Sequence, residues 1–230
     1  MPSHDKPQAS SETKASQLNE EIYGENVDFW ARAWGGVKTP YTQMPKLSYL
    51  PDIPDNLEGY GCKQILDLGC GSGWLSVYLA RRGFAVTGVD IAPQAIELAK
   101  MWASEEKLAI DFSVKDILQM DFAEGSFDAC VANAIFEHLT LELAETCLKR
   151  VHKFLKPGGI FVGCFDKVGG GPGEYFELDD GTHIYTDKGR KGMLLRCFDD
   201  DELKTLFTGW TIESFETAEN GTRIIWARRP

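Results

Sequence analysis

The sequence predicts an α/β protein, an open and mostly parallel sheet with helices on both faces. Three observations carry this. Between residues 64 and 165, short apolar runs alternate with stretches of helical periodicity, and strands joined by helices at that spacing pair in parallel. Within that span, residues 64–83 read as strand, tight glycine turn and helix, a unit that lets a ligand approach the backbone at a helix N-terminus. At the end of the chain, apolar stretches 210–218 and 222–228 flank Asn220-Gly221, the strongest short hairpin signal.

Residues 1–17 hold no Leu, Ile, Val or aromatic side chain and are expected to form a disordered tail, because they have nothing to bury. Residues 18–59 form an N-terminal helix followed by a cap or lid segment. Ile22, Tyr23, Val27, Trp30 and Trp34 recur at helical spacing until Gly35-Gly36. Residues 39–56 carry Pro40, Pro45, Pro51 and Pro54 and read as an irregular connection anchored by Tyr41 and Tyr49.

Residues 60–230 form the main domain. After the strand at Ile65-Leu66, a helix starts at Trp74, and Arg81-Arg82 with Gly83 close it. A second strand (84–90) ends in Asp90, and Pro93 opens a helix to about Ser104. Strands follow at 110–114 and 127–131, the latter leading to Ala132-Asn133. A helix at 141–155 stops at Lys156-Pro157-Gly158-Gly159, before a strand at 160–165. Residues 166–198 are an insertion, and a helix at 199–207 precedes the hairpin. No internal repeat or second domain is visible.

The 230 residues suit one domain with a sizeable core. A net charge of −11, with no Lys/Arg cluster, argues against nucleic acid as a partner. The six cysteines show no Cys-x-x-Cys pair and no metal-like spacing, so no metal is expected. They read as reduced thiols, Cys164 and Cys197 as buried and inert. No secretory segment and no apolar run of spanning length is present. The expectation is a cytoplasmic protein with no membrane partner; the sequence is silent on oligomeric state.

The glycine turn has several potential ligands. A dinucleotide fingerprint is incomplete, since Gly69 and Gly71 are followed by Trp74 at the third position. Asp67, just before the turn, suits a cationic ligand better than a pyrophosphate. S-adenosylmethionine carries a sulfonium, an ammonium and a ribose but no phosphate. Asp90, about twenty residues on, is placed as a ribose-binding acid.

At these residues the chain resembles the class I S-adenosylmethionine-dependent methyltransferases. Asp67-Leu68-Gly69-Cys70-Gly71-Ser72-Gly73 is similar to the family's first motif. The likeness continues through VTGVDIAPQAIELAK, VKDILQMDF, FDACVANAIFEHL and LKPGGIFV, over roughly residues 60–165. The flavour is that of the small-molecule set. The resemblance implies a Rossmann-like three-layer sandwich, a seven-stranded sheet whose last strand is antiparallel. It also implies S-adenosylmethionine as cofactor and S-adenosylhomocysteine as product. Asp67, Gly69, Gly71 and Gly73 would then face the methionine portion, Asp90 the ribose and Ile91 the adenine. Asp116 would accept the adenine amine beside Ile117, and Asn133 would line the site near the transferred methyl. Each acid has a plainer reading: Asp67 as a loop-ordering carboxylate, Asp90 as a strand-end turn residue, Asp116 as part of a solvated charge cluster. Asn133 has one as a turn former.

Methyl transfer from a sulfonium needs the acceptor held in line and water excluded. A hydroxyl acceptor also needs a base within hydrogen-bond reach. His138, just after the fourth strand, is the candidate base or acceptor-orienting group, or else simply part of the next helix start. The Asn/Asp-Pro-Pro-aromatic signature of amino methylation is replaced by Asn133-Ala134-Ile135-Phe136. The acceptor is expected to be a small molecule presenting oxygen, nitrogen or sulfur. Candidate acceptor-binding residues are Tyr23, Trp30, Trp34 and Tyr41 from the N-terminal segment, and Tyr175, His183 and Tyr185 from the insertion, which Gly169-Gly170-Gly171 would make mobile. The N-terminal stripe has core packing as its alternative. The rival functions are a sensor that binds S-adenosylmethionine without turnover and an NAD-dependent oxidoreductase.

Overall fold

A computed structural model describes residues 11–167 and 173–230. Inside a seven-stranded sheet lies β1 (Gln64–Leu68), with β2 (Ala85–Asp90) and then β3 (Asp111–Val114) on one side. On the other side come β4 (Phe127–Asn133) and β5 (Leu155–Phe165). The first five strands pair in parallel. The hairpin supplies β9 (Thr211–Thr217) and β10 (Arg223–Arg228), and β10 inserts antiparallel between β5 and β9. The expected architecture is therefore present. Gly221 makes the turn possible at φ +87°, while the Asn220 side chain accepts the Thr222 N–H at 3.1 Å.

β1 is buried on both faces, as a central parallel strand should be. Leu66 and Leu68 join Cys130 and Ala132 under α5 (Leu141–Phe154) and α6 (Asp200–Leu206). Ile65 points the other way, with Val86, Ala129 and Val131, under α2 (Asp52–Gly59) and α3 (Trp74–Arg81). This alternation gives three layers. α4 (Pro93–Glu105) packs through Ile96 and Ala99 on Phe112 of β3. Asp199 caps α6 in a reciprocal capping box with Glu202.

The local readings fail where context overrides composition. The irregular connection runs into α2, which begins at Asp52. Pro51 is its N-cap and Pro54 lies in its first turn, where a missing N–H costs nothing. β5 begins at Leu155, five residues before the expected start, and its register against β4 shifts between Phe127 and Ala129.

The N-terminal helix α1 spans Ser11–Gly35, so it runs back through part of the expected tail, a helix being extended more easily than nucleated. Residues 1–10 lie outside the described residues. In α1, Ile22, Asn26 and Phe29 are buried, and Tyr23, Val27, Trp30 and Trp34 along a neighbouring stripe are half-buried. The insertion carries a small antiparallel sheet of β6 (Tyr175–Glu177), β7 (His183–Tyr185) and β8 (Leu194–Leu195), in that order. The Gly169–Gly171 stretch lies outside the described residues. No described helix is long and apolar enough to cross a membrane.

Candidate functional site

The sheet order reverses between β1 and β4, and ligands of open α/β sheets bind at the carboxyl ends of strands there. A cavity opens at this point. Its walls are the glycine turn from Gly69 to Ser72 with Trp74, the ends of β2 (Asp90, Ile91) and β3 (Ile117), the Ala134–Leu139 segment, and α1.

The turn is built by backbone. Cys70 N–H donates to the Val89 carbonyl at 2.9 Å and Gly71 N–H to Asp90 Oδ2 at 2.9 Å. Gly69, at φ +67°, has Ile135 so close that a Cβ would lie 2.5 Å from its Cδ1. A Cβ on Gly71 would lie 3.3 Å from the Trp34 ring, so α1 closes directly over the turn. Gly73, at φ +86°, lets α3 start against α4, since a Cβ there would lie 2.8 Å from that of Ala99. The close helix packing that a third fingerprint glycine provides is supplied here by Gly73, which removes the force of Trp74 as an argument against a dinucleotide.

Asp90 is buried at the cavity wall. Oδ1 accepts the Ala92 N–H and Oδ2 the Gly71 N–H, both at 2.9 Å. A carboxylate has about four acceptor positions, so these bonds fix its orientation and leave room for hydroxyl donors. Burial pushes its pKa up, against the pull of the backbone N–H groups.

Asp67 is placed otherwise than expected. It shares the Ile65 side of β1, is 2% exposed, and accepts the Ser76 hydroxyl at 2.6 Å instead of lining the cavity. Burial pushes its pKa to about 7, the Ser76 bond opposing. It orders the loop from beneath, because strand alternation turns it toward α3.

Asp116 and Asn133 also stand off the cavity wall. Asp116 Oδ1 accepts the Tyr23 hydroxyl at 2.7 Å and the Leu118 N–H at 2.8 Å, while its neighbour Ile117 faces the cavity. Asn133 Oδ1 accepts the Tyr49 hydroxyl at 3.0 Å. The wall beyond β4 is instead Ala134 and Ile135. Ala134 holds φ +51°, a left-handed conformation rare outside glycine, with its N–H on the Cys164 carbonyl at 2.9 Å.

His138 does line the cavity. Its Nδ1 lies 2.9 Å from the Leu194 carbonyl, and Trp30 packs edge-on at 4.6 Å. A carbonyl can only accept, so Nδ1 carries the proton and Nε2 keeps its lone pair. Burial lowers the His138 pKa, the Leu194 bond opposing. The arrangement is that of a neutral imidazole able to take a proton from the cavity side.

Of the acceptor candidates, Tyr23, Trp30 and Trp34 line the cavity and the others do not. Tyr41 is 69% exposed, its hydroxyl on Gln43, because it lies on the open connection. Tyr175 stacks on His183 at 4.0 Å, and Tyr185 is buried beneath the Arg190 guanidinium; these contacts belong to the small sheet. Cys197 is exposed, contrary to expectation; the other five cysteines are buried. Among the described residues, no group of His, Cys, Asp and Glu is placed to hold a metal. Sequence reading missed Asn26 and Ile135 as wall residues. Asn26 lies three residues after Tyr23 on the same helix face, and that spacing was the available signal.

The match to known proteins is consistent with this geometry. The family model described as a methyltransferase domain matches residues 65–159. The ubiquinone biosynthesis O-methyltransferase of Xanthomonas axonopodis pv. citri is 31% identical over 169 residues, 69% of this chain and 68% of that one.

The chain belongs to the class I S-adenosylmethionine-dependent methyltransferases.

The enzyme of the same name from Xanthomonas campestris pv. campestris is 32% identical over 134 residues, 54% of this chain and 55% of the relative. The chain thus spans about half the length of such curated relatives. A solved S-adenosylmethionine-dependent methyltransferase from Methanosarcina mazei is 25% identical, with a TM-score of 0.63 over 76% of this chain and 96% of that one. Within this methyltransferase fold, the matched segment runs from β1 to the start of β5, and so holds the glycine turn, Asp90, Asp116 and His138. α1 and the insertion sheet lie outside the family model's match.

Proposed function

We propose that the chain transfers a methyl group from S-adenosylmethionine to a hydroxyl of a small, largely apolar acceptor, with His138 as general base. The observation that carries the cofactor assignment is the makeup of the cavity wall. Among its described lining residues there is one carboxylate, Asp90, and no Lys or Arg. No cation on this wall repels a sulfonium, and Asp90 with the apolar, aromatic surface suits the ribose and base of such a cofactor.

When bound, the cofactor supplies an electrophilic methyl group on sulfur. The chain's own residues do the rest. Asp90 accepts ribose hydroxyls, Gly69 and Gly71 keep the turn free of side chains, and Ile91 and Ile117 present apolar surface to the base. Asp116, off the cavity wall, anchors α1 over the site by accepting the Tyr23 hydroxyl. Trp30, Trp34 and Tyr23 on α1 act as a lid that excludes water and flanks the acceptor. Nε2 of His138 takes the acceptor proton, which its depressed pKa leaves it free to do at neutral pH. The acceptor is a metabolite, not a nucleic acid, in keeping with the −11 net charge, and the activity is cytoplasmic.

Calorimetry tests this directly. S-adenosylhomocysteine should bind saturably and NAD should not; the reverse result would sink the proposal. Release of S-adenosylhomocysteine with members of a panel of small phenolic and aliphatic hydroxyl compounds should follow, and binding with no turnover across that panel would point to a sensor.

A further inference from the structure

The insertion sheet reaches the candidate base through backbone groups. β8 is an edge strand of its small sheet, and edge strands carry unpaired N–H and C=O groups that must find partners when covered. Here the outer edge of β8 docks on the turn after β4. Arg196 N–H donates to the Glu137 carbonyl at 2.7 Å, and the Leu194 carbonyl accepts Nδ1–H of His138 at 2.9 Å. The Leu194 N–H donates to the side-chain oxygen of Asn26 at 3.1 Å. The Asn26 amide nitrogen donates in turn to the His138 carbonyl at 2.9 Å.

Asn26, His138 and Leu194 therefore close a ring of three hydrogen bonds drawn from α1, the post-β4 turn and β8. Asn26 is 3% exposed, and both ends of its amide are used. Neighbouring contacts join α1 to the loop before β8. The Arg32 guanidinium donates to the Lys191 carbonyl at 2.6 Å, and Gly192 lies so close to α1 that a Cβ would sit 2.6 Å from the Glu25 carbonyl oxygen.

We infer that Asn26 is a positioning residue for the base: by bridging Leu194 and His138 it holds the Leu194 carbonyl against Nδ1 and so presents Nε2 to the cavity. This rests on the reading of His138 as the base. The usual partner that orients a catalytic imidazole is a carboxylate or a carbonyl on a rigid element. Here the carbonyl belongs to a two-residue edge strand, which by itself is weakly held, and Asn26 supplies the missing constraint. The base is thereby tied to α1, so that its orientation depends on the helix being docked over the cofactor turn.

The test is a long-range proton–nitrogen correlation spectrum of the full chain, with nitrogen-15 histidine label and saturating S-adenosylhomocysteine. The His138 signal is identified by its loss in His138→Gln. The wild-type imidazole should be a single Nδ1–H tautomer. Asn26→Ala should convert it to a mixture of the two, while Asn26→Asp, which keeps an acceptor for the Leu194 N–H, should retain the Nδ1–H form. An Nε2–H tautomer in the wild type overturns the inference, as does an unaltered tautomer in a folded Asn26→Ala protein. A merely structural asparagine would lower the melting temperature and leave the tautomer alone. Should Asn26→Ala fail to fold, Asn26→Asp decides, because a scrambled tautomer in that variant removes Leu194 as the orienting group. Calorimetry with S-adenosylhomocysteine on the same samples separates this from the cofactor reading. No binding by wild type sinks that reading, whereas binding with the wrong tautomer sinks only the role of Asn26.

Discussion

The hydroxyl of Tyr23 donates to Asp116 Oδ1 across 2.7 Å, tying α1 to the loop after β3. The bond is partly buried, and burial with an acid acceptor holds the phenol firmly protonated, its pKa raised far above the ordinary value. Hydrogen bonds to charged groups are worth about 1.5–3 kcal/mol. Tyr23→Phe should therefore cost about 1–2 kcal/mol in denaturant unfolding and speed amide exchange through α1. If both stay at wild-type values, the docking of α1 does not depend on this bond.

Asp90 holds the Gly71 N–H and, in the proposed function, accepts the ribose. Asp90→Ala removes the acceptors for both hydroxyls, two bonds to a charged group at about 1.5–3 kcal/mol each. S-adenosylhomocysteine affinity should fall roughly a hundredfold or more. Affinity within about threefold of wild type, by calorimetry on folded protein, would refute the site.

The two kinds of glycine at the ends of α3 separate backbone strain from packing. Gly83 has φ +92°, and, its chain neighbours aside, no described atom lies within 4 Å of where a Cβ would sit. Gly73 has φ +86°, and a Cβ there would meet Ala99 at 2.8 Å and Phe112 at 3.0 Å. Gly83→Ala carries only the left-handed penalty, about 1 kcal/mol. Gly73→Ala adds overpacking of about 1–3 kcal/mol. Denaturant midpoints should show Gly73→Ala as clearly the worse of the two; equal losses would mean that α4 yields.

What the sequence displayed of this molecule follows from the range of the forces involved. The glycine turn, Asp90 and the Asn220-Gly221 hairpin were legible because each is a local solution, in which side-chain type and backbone geometry are set within a few residues. Asp67 was misplaced because a strand-end acid reads the same whether it faces the ligand or, as here, Ser76 beneath the loop. Asn133 and Tyr49 found each other across 84 positions, a pairing that no periodicity announces. α2 was hidden by prolines that are harmless in a first turn. Tyr175, His183 and Tyr185 were proposed for the acceptor on their chemistry, but their stacking within β6 and β7 is decided by strand pairing.

Two adjacent residues give stability opposite slopes with pH. Glu137 is 2% exposed; its Oε1 accepts the Asp166 N–H, and its Oε2 has no partner among the described residues. Burial pushes its pKa from 4.5 to about 8, the backbone bonds opposing. The native state thus holds this proton between pH 4.5 and about 8 while the unfolded chain has released it. The contribution of Glu137 to stability therefore falls with rising pH across that window, by up to about 1.4 kcal/mol per unit. His138 behaves oppositely. Its native pKa lies below 6.5 because burial disfavours the charged ring, so the unfolded state binds the extra proton and stability falls as pH drops from 6.5 through the native value. Glu137→Gln keeps the acceptor for Asp166 and removes the titration. Its denaturant stability relative to wild type should improve steadily from about pH 5 to 8. His138→Gln should gain on wild type in the other direction, below pH 6.5. Parallel stability curves for wild type and Glu137→Gln over about pH 5–8 would show that the Glu137 carboxyl is hydrated in solution and ionises as it does in the unfolded chain.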